Sequence, residues 1–262
     1  MAETIVMIHG MWGGSWYWEN YRKFFEGKGY RCVVPTLRLH DMDPKAVPNP
    51  ALGSTSLLDY ARDLEEVIRT LDSQPVLMGH SMGALLAQIL GSRDLAKALI
   101  LLTPASPAGI NAMKPSVIKS FASVLMGYGF WKKPKRQTFN EAVYSMLQLL
   151  PPEEQRKVYD RFVYESGRAA SEIGFWFFDK KEASKVDERK VGCPVLVIAG
   201  SKDNITPASV VRKVAAKYGA VSTYKEFPNH AHWVVGEPDW QEIVDYISGW
   251  LDQALTGSGH LP

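Results

Sequence analysis

The stretch Val76-Leu77-Met78-Gly79-His80-Ser81-Met82-Gly83-Ala84, "VLMGHSMGA", joins an apolar run to the pattern Gly-x-Ser-x-Gly. The pattern alone arises by chance in roughly one such chain in ten, so its setting matters more than its letters. An apolar strand is predicted at 75–78 and a helix of small and apolar residues at 82–90, and a strand–turn–helix elbow of this kind exposes a serine oxygen. We therefore predict that Ser81 is a nucleophile, on a turn so tight that side chains at positions 79 and 83 would collide with it or with the neighbouring strand.

Apolar runs bounded by turn residues recur along the chain, at 5–9, 32–35, 76–78, 98–103 and 195–199, with a more polar run at 221–227. Helical patterns lie between them, at 16–27, 56–71, 82–92, 208–218 and 240–255. Continuous rather than alternating apolar strands are typical of a parallel sheet that is covered on both faces. The alternation therefore predicts an α/β fold with a doubly wound, mostly parallel sheet, in which 221–227 is an edge strand.

The gap between the two halves of this pattern, 105–190, is too long for a connection inside a compact domain. It has helical stretches of its own, such as 153–168, and it holds 13 of the 29 aromatic residues. We expect residues 1–104 and 191–256 to form the core, 105–190 an inserted helical cap, and 257–262 a flexible tail. Most of the cap's aromatic residues are expected to pack the cap itself, although a lid that excludes water would be built in the same way.

The composition is that of an ordinary globular protein. The 262 residues carry a net charge of +2, with 46% hydrophobic and 22% charged residues, as in a globular domain that binds no nucleic acid. Cys32 and Cys193 are not in a metal-type spacing, which favours free thiols and a reducing compartment. The N-terminus has no signal-peptide pattern, and no apolar run approaches a membrane span. We expect a cytoplasmic monomer or homodimer with no integral membrane association.

A serine hydroxyl is a poor nucleophile unless a base activates it and an acid orients the base. Both groups are present at the ends of later predicted strands. The loop in "PVLVIAGSKDNITP" holds Asp203, and the loop in "EFPNHAHWVVGEP" holds His230 and His232. The order serine, acid, histidine is that of the α/β-hydrolases.

Four motifs, "HGMWGG", "GHSMG", "GSKDNITP" and "HWVVGEP", each lie at the end of a predicted strand. Through them the chain resembles the α/β-hydrolase superfamily from end to end. The pattern His9-Gly10-x-x-x-Gly14-x-Trp16-x-Trp18 is similar to that of the plant methylesterases and hydroxynitrile lyases, over the first strand and loop only. The resemblance implies an α/β-hydrolase fold that needs neither cofactor nor metal.

The resemblance also distinguishes between the two histidines. In the family the catalytic histidine precedes a glutamate by five residues, which is the spacing of His232 and Glu237. His230 would then be a residue of the loop that supports it, and Asp203 the orienting acid. Asp179 and Asp187 are rivals within the cap, but neither follows a predicted core strand.

The family's oxyanion hole is carried over to the backbone N–H groups of Met11 and Met82, which are fixed in place before reaction. For the substrate pocket we name four tryptophans as candidates: Trp12, Trp131, Trp176 and Trp233. Of the other histidines, His80 is expected to pack in the elbow and His9 to shape its loop, while His40 has no assigned role. The basic run at 132–136 is interpreted as a solvated face of the cap, with an anionic lipid surface as the alternative.

These residues predict a serine hydrolase that cleaves a small-molecule carboxylic ester through an acyl-enzyme intermediate, with an apolar acyl or aryl group of small to medium size. Lactonases and carbon–carbon bond hydrolases use the same triad and stay open as alternatives. Hydroxynitrile lyases carry Thr where this chain has Gly10, and Lys where it has Trp233, so both departures favour an esterase. A ligand sensor without activity is the alternative of another class, since a fold alone does not establish chemistry.

Overall fold

The first half of the core alternates strands and helices, as the apolar pattern predicts. In the computed structural model, which describes residues 2–256, the order is β1 (Thr4–Ile8), α1 (Glu19–Gly27), β2 (Arg31–Val33), α2 (Leu57–Arg69), β3 (Val76–His80), α3 (Met82–Gly91) and β4 (Ala98–Leu102). Helix α2 begins at a capping box, in which Ser56 and Asp59 satisfy each other's free backbone N–H groups. Helix α3 is buried along its whole length, which explains its small and apolar sequence.

The segment after β4 is the most irregular part of the chain. It contains α4 (Pro115–Ser120), α5 (Ala122–Leu125), β5 (Pro134–Lys135), α6 (Phe139–Ala142), α7 (Pro152–Asp160), β6 (Glu165–Ser166) and α8 (Gly167–Gly174). Helix α6 continues into a wider turn of π type, Val143–Leu147. Single 3₁₀ turns lie here and in the core, at Ser15–Trp18, Pro50–Ser54, Phe130–Lys132, Trp176–Phe178, Glu188–Lys190 and Gly219–Val221.

The chain then returns to the sheet through β7 (Val195–Gly200), α9 (Ala208–Ala216), β8 (Ser222–Phe227) and α10 (Trp240–Thr256). The six core strands form one parallel sheet in the order β2-β1-β3-β4-β7-β8, so the doubly wound prediction is confirmed. Strand β8 lies at the edge, as its more polar sequence indicates. Among the helices of residues 2–256, none combines the length and the apolar character needed to cross a bilayer.

One helical prediction in the cap is wrong. The pattern at 153–168 predicts a single helix, but α7 ends at Asp160, and β6 pairs antiparallel with β5 before α8 begins. The reason is the carboxylate of Glu165, which is buried and accepts hydrogen bonds from His40 Nε2 (3.0 Å) and Tyr60 Oη (2.7 Å) of the core. The helix therefore ends before Glu165, whose carboxylate is bound by the core.

His40, to which the sequence assigned no role, thus anchors the cap. Both of its ring nitrogens face acceptors, Arg38 O at 3.1 Å and Glu165 at 3.0 Å. Burial lowers the pKa of His40, but the charge of Glu165 and its hydrogen bond more than offset that effect and leave the pKa above its usual value. A second anchor lies nearby, where the buried Glu172 accepts hydrogen bonds from Ser56 Oγ (2.8 Å) and Leu57 N (2.8 Å) at the start of α2.

The predicted tail at 257–262 lies outside the described residues. The two described portions of the core, 2–104 and 191–256, share one sheet, and the segment 105–190 packs over the carboxyl ends of its strands.

Candidate active site

Ser81 lies at the point where β3 ends and α3 begins, in a backbone conformation (φ 54°, ψ −116°) that non-glycine residues rarely adopt. Its neighbours explain why both flanking positions are glycine. A Cβ at Gly79 would stand 2.3 Å from the carbonyl oxygen of Gly83, and one at Gly83 would stand 2.1 Å from that of Ile8 in β1. As the sequence predicts, a side chain at either position would collide with the backbone. The strained turn at Ser81 can therefore form only with glycine at both positions.

Ser81 is partly exposed, and it opens into a cavity of about 320 Å³ between the sheet and the cap. Most of the wall is apolar and comes from the cap, including Ile110, Phe121, Ile173, Phe175 and Trp176. No charged residue among 2–256 lines it. The cavity therefore suits an uncharged, largely apolar ligand.

Of the four tryptophans predicted to line the pocket, Trp176 does so and the other three lie elsewhere. Trp12 is buried against Phe121, with ring centroids 5.7 Å apart, and its Nε1 donates to the carbonyl oxygen of Lys135. Trp233 is buried among Trp16, Tyr17 and Phe162. Trp131 lines a separate depression on the outside of the cap. Trp12 and Trp233 therefore have a packing role instead, because both are buried.

Asp203 and His232 are brought together by the loops after β7 and β8. The distance from His232 Nδ1 to Asp203 Oδ2 is 2.7 Å, and both side chains are buried. The carboxylate also accepts from the backbone N–H of Ile205 and Thr206, each at 2.8 Å. Burial alone raises the pKa of Asp203, but the charge of His232 and these hydrogen bonds hold the pKa below its usual value. Asp203 is thus kept as a carboxylate.

His232 is fixed from its backbone as well as from its ring. Its carbonyl oxygen accepts from His80 Nε2 at 2.8 Å, and the rings of these two histidines lie 4.8 Å apart. Because His80 directly precedes Ser81, this contact places the imidazole of His232 beside the elbow. With Nδ1 donating to Asp203, the basic lone pair lies on Nε2, which is buried and has no hydrogen-bond partner among residues 2–256. No hydrogen bond joins Ser81 to His232 in this part of the chain.

His80 therefore does more than fill the elbow. Burial and the neighbouring His232 lower its pKa to about 3, so it is a neutral donor near pH 7. His9 shapes its loop as expected: its Nδ1 donates to Gly10 O at 2.8 Å, and its Nε2 accepts from Leu37 N at 3.1 Å. Burial and the nearby His40 likewise lower the pKa of His9 to about 3.

The loop after β1 lies against the elbow, since a Cβ at Gly10 would be 3.1 Å from that of Ser81. Met11 follows in this loop, and Met82 opens α3. Within the described chain, neither backbone N–H donates a hydrogen bond to a protein acceptor. Both residues line the cavity together with Ser81, and the N-terminus of α3 favours negative charge there.

Thr206 was missed by the sequence prediction. Its Oγ1 lies 2.7 Å from Asp203 Oδ2 and 3.2 Å from His232 Nδ1, so it supports the pair from one side. The signal was its place in the loop "KDNITP", three residues after the acid, where a threonine side chain returns to a preceding carboxylate.

His230 was predicted only as a residue of the supporting loop, and its partners were not foreseen. Its Nδ1 lies 3.0 Å from Glu237 and its Nε2 lies 2.7 Å from Glu242, so both nitrogens face carboxylates. Glu237 also accepts from the backbone N–H of Ala231 at 2.9 Å. Burial lowers the pKa of His230, but the two glutamates more than offset it and raise the pKa above its usual value. Through its contact with Glu242, the His230 ring ties the His232 loop to α10.

No cluster of three or more His, Cys, Asp or Glu residues within 2–256 is arranged to hold a metal ion.

The fold and this site together define an α/β hydrolase, and comparison with known proteins agrees. The model of the alpha/beta hydrolase family matches residues 5–245, so the chain belongs to that family.

Three relatives illustrate its range. An alpha-hydroxynitrile lyase from Arabidopsis thaliana is 23% identical over 256 residues, covering 93% of this chain and 95% of that protein. A 2-hydroxy-6-oxononadienedioate/2-hydroxy-6-oxononatrienedioate hydrolase from Paraburkholderia xenovorans is 24% identical, covering 94% and 87%. The crystal structure of a methylesterase from Arabidopsis superposes with a TM-score of 0.70 at 12% identity, covering 96% and 99%. At these identities the likenesses establish the fold.

The first prediction concerns the elbow. Gly83→Ala places a methyl group against the Ile8 carbonyl, which cannot move without disturbing β1, so we expect a loss of about 2–3 kcal/mol in the free energy of unfolding. Gly249→Ala in α10 is the matched control: its added Cβ meets no atom within 4 Å, and we expect a gain of about 0.5–1 kcal/mol. Urea unfolding measures both. Equal stability of the two variants would contradict the steric account.

The second prediction concerns His230. Because its folded pKa is raised, its ion pairs contribute fully below the unfolded pKa of about 6.5, and the contribution is lost as pH rises through the folded pKa. Glu242→Gln removes one partner, so we expect it to lower the free energy of unfolding by up to about 1 kcal/mol near pH 6 and by less near pH 9.

The control for this variant is Asp245→Asn, which removes the same charge from the same helix without a hydrogen bond to His230. Its effect on urea unfolding should not differ between the two pH values. A Glu242→Gln effect that is also independent of pH would show that His230 is not the group responsible.

Proposed function

We propose that this α/β hydrolase cleaves carboxylic esters, with Ser81 as nucleophile, His232 as general base and Asp203 as the group that orients the base. The observation that carries the proposal is the bond from His232 Nδ1 to Asp203 at 2.7 Å, beside the elbow that presents Ser81. This bond fixes the tautomer in which Nε2 accepts a proton, and the Nε2 atom is held without a protein partner.

The reaction proceeds in two halves. The oxygen of Ser81 attacks the ester carbonyl as its proton passes to Nε2 of His232, and the carbonyl π electrons move onto oxygen. The N–H groups of Met11 and Met82 stabilise this oxyanion, and one such donor contributes roughly 3–4 kcal/mol in other serine hydrolases. The intermediate expels the alcohol, which takes its proton from His232. Water then attacks the acyl-enzyme as its proton passes to His232. The second intermediate breaks the bond between the acyl carbon and the Ser81 oxygen, which takes the proton back from His232 as the acid leaves. No step requires a cofactor.

The cavity supports an uncharged acyl or aryl ester of small to medium size. Its volume of about 320 Å³ lies at the lower end of the range for small-molecule sites, and its walls are apolar. The Paraburkholderia relative is named for a dicarboxylate substrate, which calls for cationic side chains in the site. Neither Lys nor Arg lines this cavity in the part of the chain described, so we favour an ester over that substrate.

Two further alternatives are less favoured. The Arabidopsis relative is named a lyase, but here the residue after His232 is Trp233, which is neutral and buried away from the cavity. A sensor without activity needs neither a strained serine nor a histidine held with its lone pair free, and backbone strain of this kind costs about 1–3 kcal/mol. A lactone contains the same ester group and is a candidate substrate within the proposal.

The third prediction tests the nucleophile. Ser81→Ala should lower hydrolysis of a p-nitrophenyl ester by a factor of at least about 10⁴ and abolish the burst, because no acyl-enzyme forms, while the circular dichroism spectrum stays unchanged. A fluorophosphonate probe should label the wild type at Ser81 and not the variant. Ser106→Ala is the matched control, since it removes a second serine of the same cavity and should leave the labelling at Ser81 intact.

Full activity in Ser81→Ala would end the proposal. An absence of labelling in the wild type would favour the sensor instead.

The fourth prediction concerns chain length. In a panel of p-nitrophenyl esters from acetate to palmitate, with a lactone and a triglyceride added, we expect kcat/KM to be highest for short and medium acyl groups and to fall for palmitate, which exceeds the cavity. Trp176→Ala enlarges the wall and should move the optimum to longer chains. An unchanged profile in that variant would show that the acyl group lies elsewhere.

A further inference from the structure

The cap carries an unusual concentration of exposed apolar side chains. Among residues 2–256, eight large hydrophobic residues are exposed, and seven of them belong to the cap: Met113, Ile118, Met126, Tyr128, Trp131, Phe177 and Phe178. We call these seven residues the cap rim. Single exposed apolar residues are ordinary, but a concentration of them on one element marks an interaction surface.

The cap rim adjoins the mouth of the active-site cavity. Met113, Ile118 and Phe177 line that cavity and are also exposed, so they lie at its opening. Ring contacts continue outward from there, since the centroids of Phe177 and Phe178 are 4.6 Å apart. Phe178 in turn shares a depression of the outer surface with Trp131.

Two aromatic members of the cap rim are almost fully exposed. Tyr128 is 92% exposed and Phe178 is 79% exposed. Tyr128 lies between Gly127 and Gly129, both with positive φ, so the chain makes a sharp turn that carries the ring outward against Trp131. Nothing in the described chain covers these rings.

The cap rim is also positively charged. Between positions 113 and 133 there are four lysines and no acidic residue: Lys114, Lys119, Lys132 and Lys133. The segment 175–181 adds Lys180 and Lys181 against a single aspartate, Asp179. All six lysines are exposed. The structure also divides the basic run at 132–136, because Lys135 donates to Met126 O and Arg136 donates to Pro44 O and Tyr159 O.

We propose that the cap rim docks onto an anionic lipid surface, with the mouth of the active-site cavity turned toward the lipid. Aromatic and aliphatic side chains enter the boundary between headgroups and acyl chains, and the surrounding lysines bind the negative headgroups. A second copy of the chain fits less well, because a twofold contact would bring the lysines of both copies together. The docking does not depend on the proposed function. The further step, in which apolar esters enter the cavity directly from the lipid, rests on that function.

The experiment measures flotation of the Ser81→Ala protein with vesicles, so that turnover plays no part. The vesicles are phosphatidylcholine alone, or phosphatidylcholine with one quarter phosphatidylglycerol. We expect binding to the anionic vesicles, weakened by high salt, and far less binding to the neutral ones. Lys132→Gln with Lys133→Gln should lower the partition coefficient about 25-fold, and Tyr128→Ser with Phe178→Ser at least about tenfold.

The matched control is Lys23→Gln with Lys213→Gln, which removes two exposed lysines from the core helices α1 and α9 and should leave binding unchanged. The proposed function is tested separately, by hydrolysis of soluble p-nitrophenyl acetate by the lysine variants that keep Ser81. If a protein with Ser81 bound vesicles but had no esterase activity, the proposed function would be wrong and the docking proposal would stand.

Three results would overturn the docking proposal: no binding to anionic vesicles at low salt, equal loss in the control variant, or a dimer in light scattering that Tyr128→Ser with Phe178→Ser dissociates.

Discussion

The close approach of α3 to β1 is the constraint on which the site depends. Gly83 lies so near the Ile8 carbonyl that no side chain fits between them, and this contact fixes the turn at Ser81. It also brings the loop after β1, with Met11, against the same turn. Because parallel strands end at one edge of the sheet, the loops after β7 and β8 deliver Asp203 and His232 there too. The steric contact at Gly83 therefore sets the Ser81 turn and the loop after β1, and the common edge of the strands adds the other two groups.

Buried charges hold the movable parts to this frame. Glu165 and Glu172 tie the cap to the core, and His230 ties the His232 loop to α10. A buried charge adds little net stability compared with apolar packing, but the loss of its hydrogen-bond or ionic partners is costly, so each of these contacts tolerates only one arrangement. These contacts lie where the cap and the His232 loop meet the core, and they fix one geometry for segments that the sheet does not itself position. The free energy that it costs to bury their charges thus fixes positions and adds little stability.

Much of the core followed from the sequence because its signals are local. Apolar runs in a parallel sheet are continuous, and the glycines around Ser81 have a steric cause that can be stated without coordinates. The cap resisted because its signals are not local. The helix predicted at 153–168 ends at Asp160 because Glu165 contacts the distant His40 of the core. Trp12 and Trp176 cannot be told apart from the sequence, although only Trp176 lines the cavity. Likewise, no spacing pattern pairs His230 with Glu242 on α10.

The chemistry of the cavity and that of the cap's outer surface point to the same kind of molecule. An apolar cavity selects ligands that dissolve poorly in water, and such ligands collect at lipid boundaries. An enzyme whose opening faced bulk water would draw on the small dissolved fraction. In the docking proposed above, contact of the cap's exposed aromatic residues and lysines with an anionic surface would also bring the cavity to such a lipid boundary. On these two proposals, one inserted segment would supply both the contact surface and the specificity, while the loops at the edge of the sheet would supply the reacting groups.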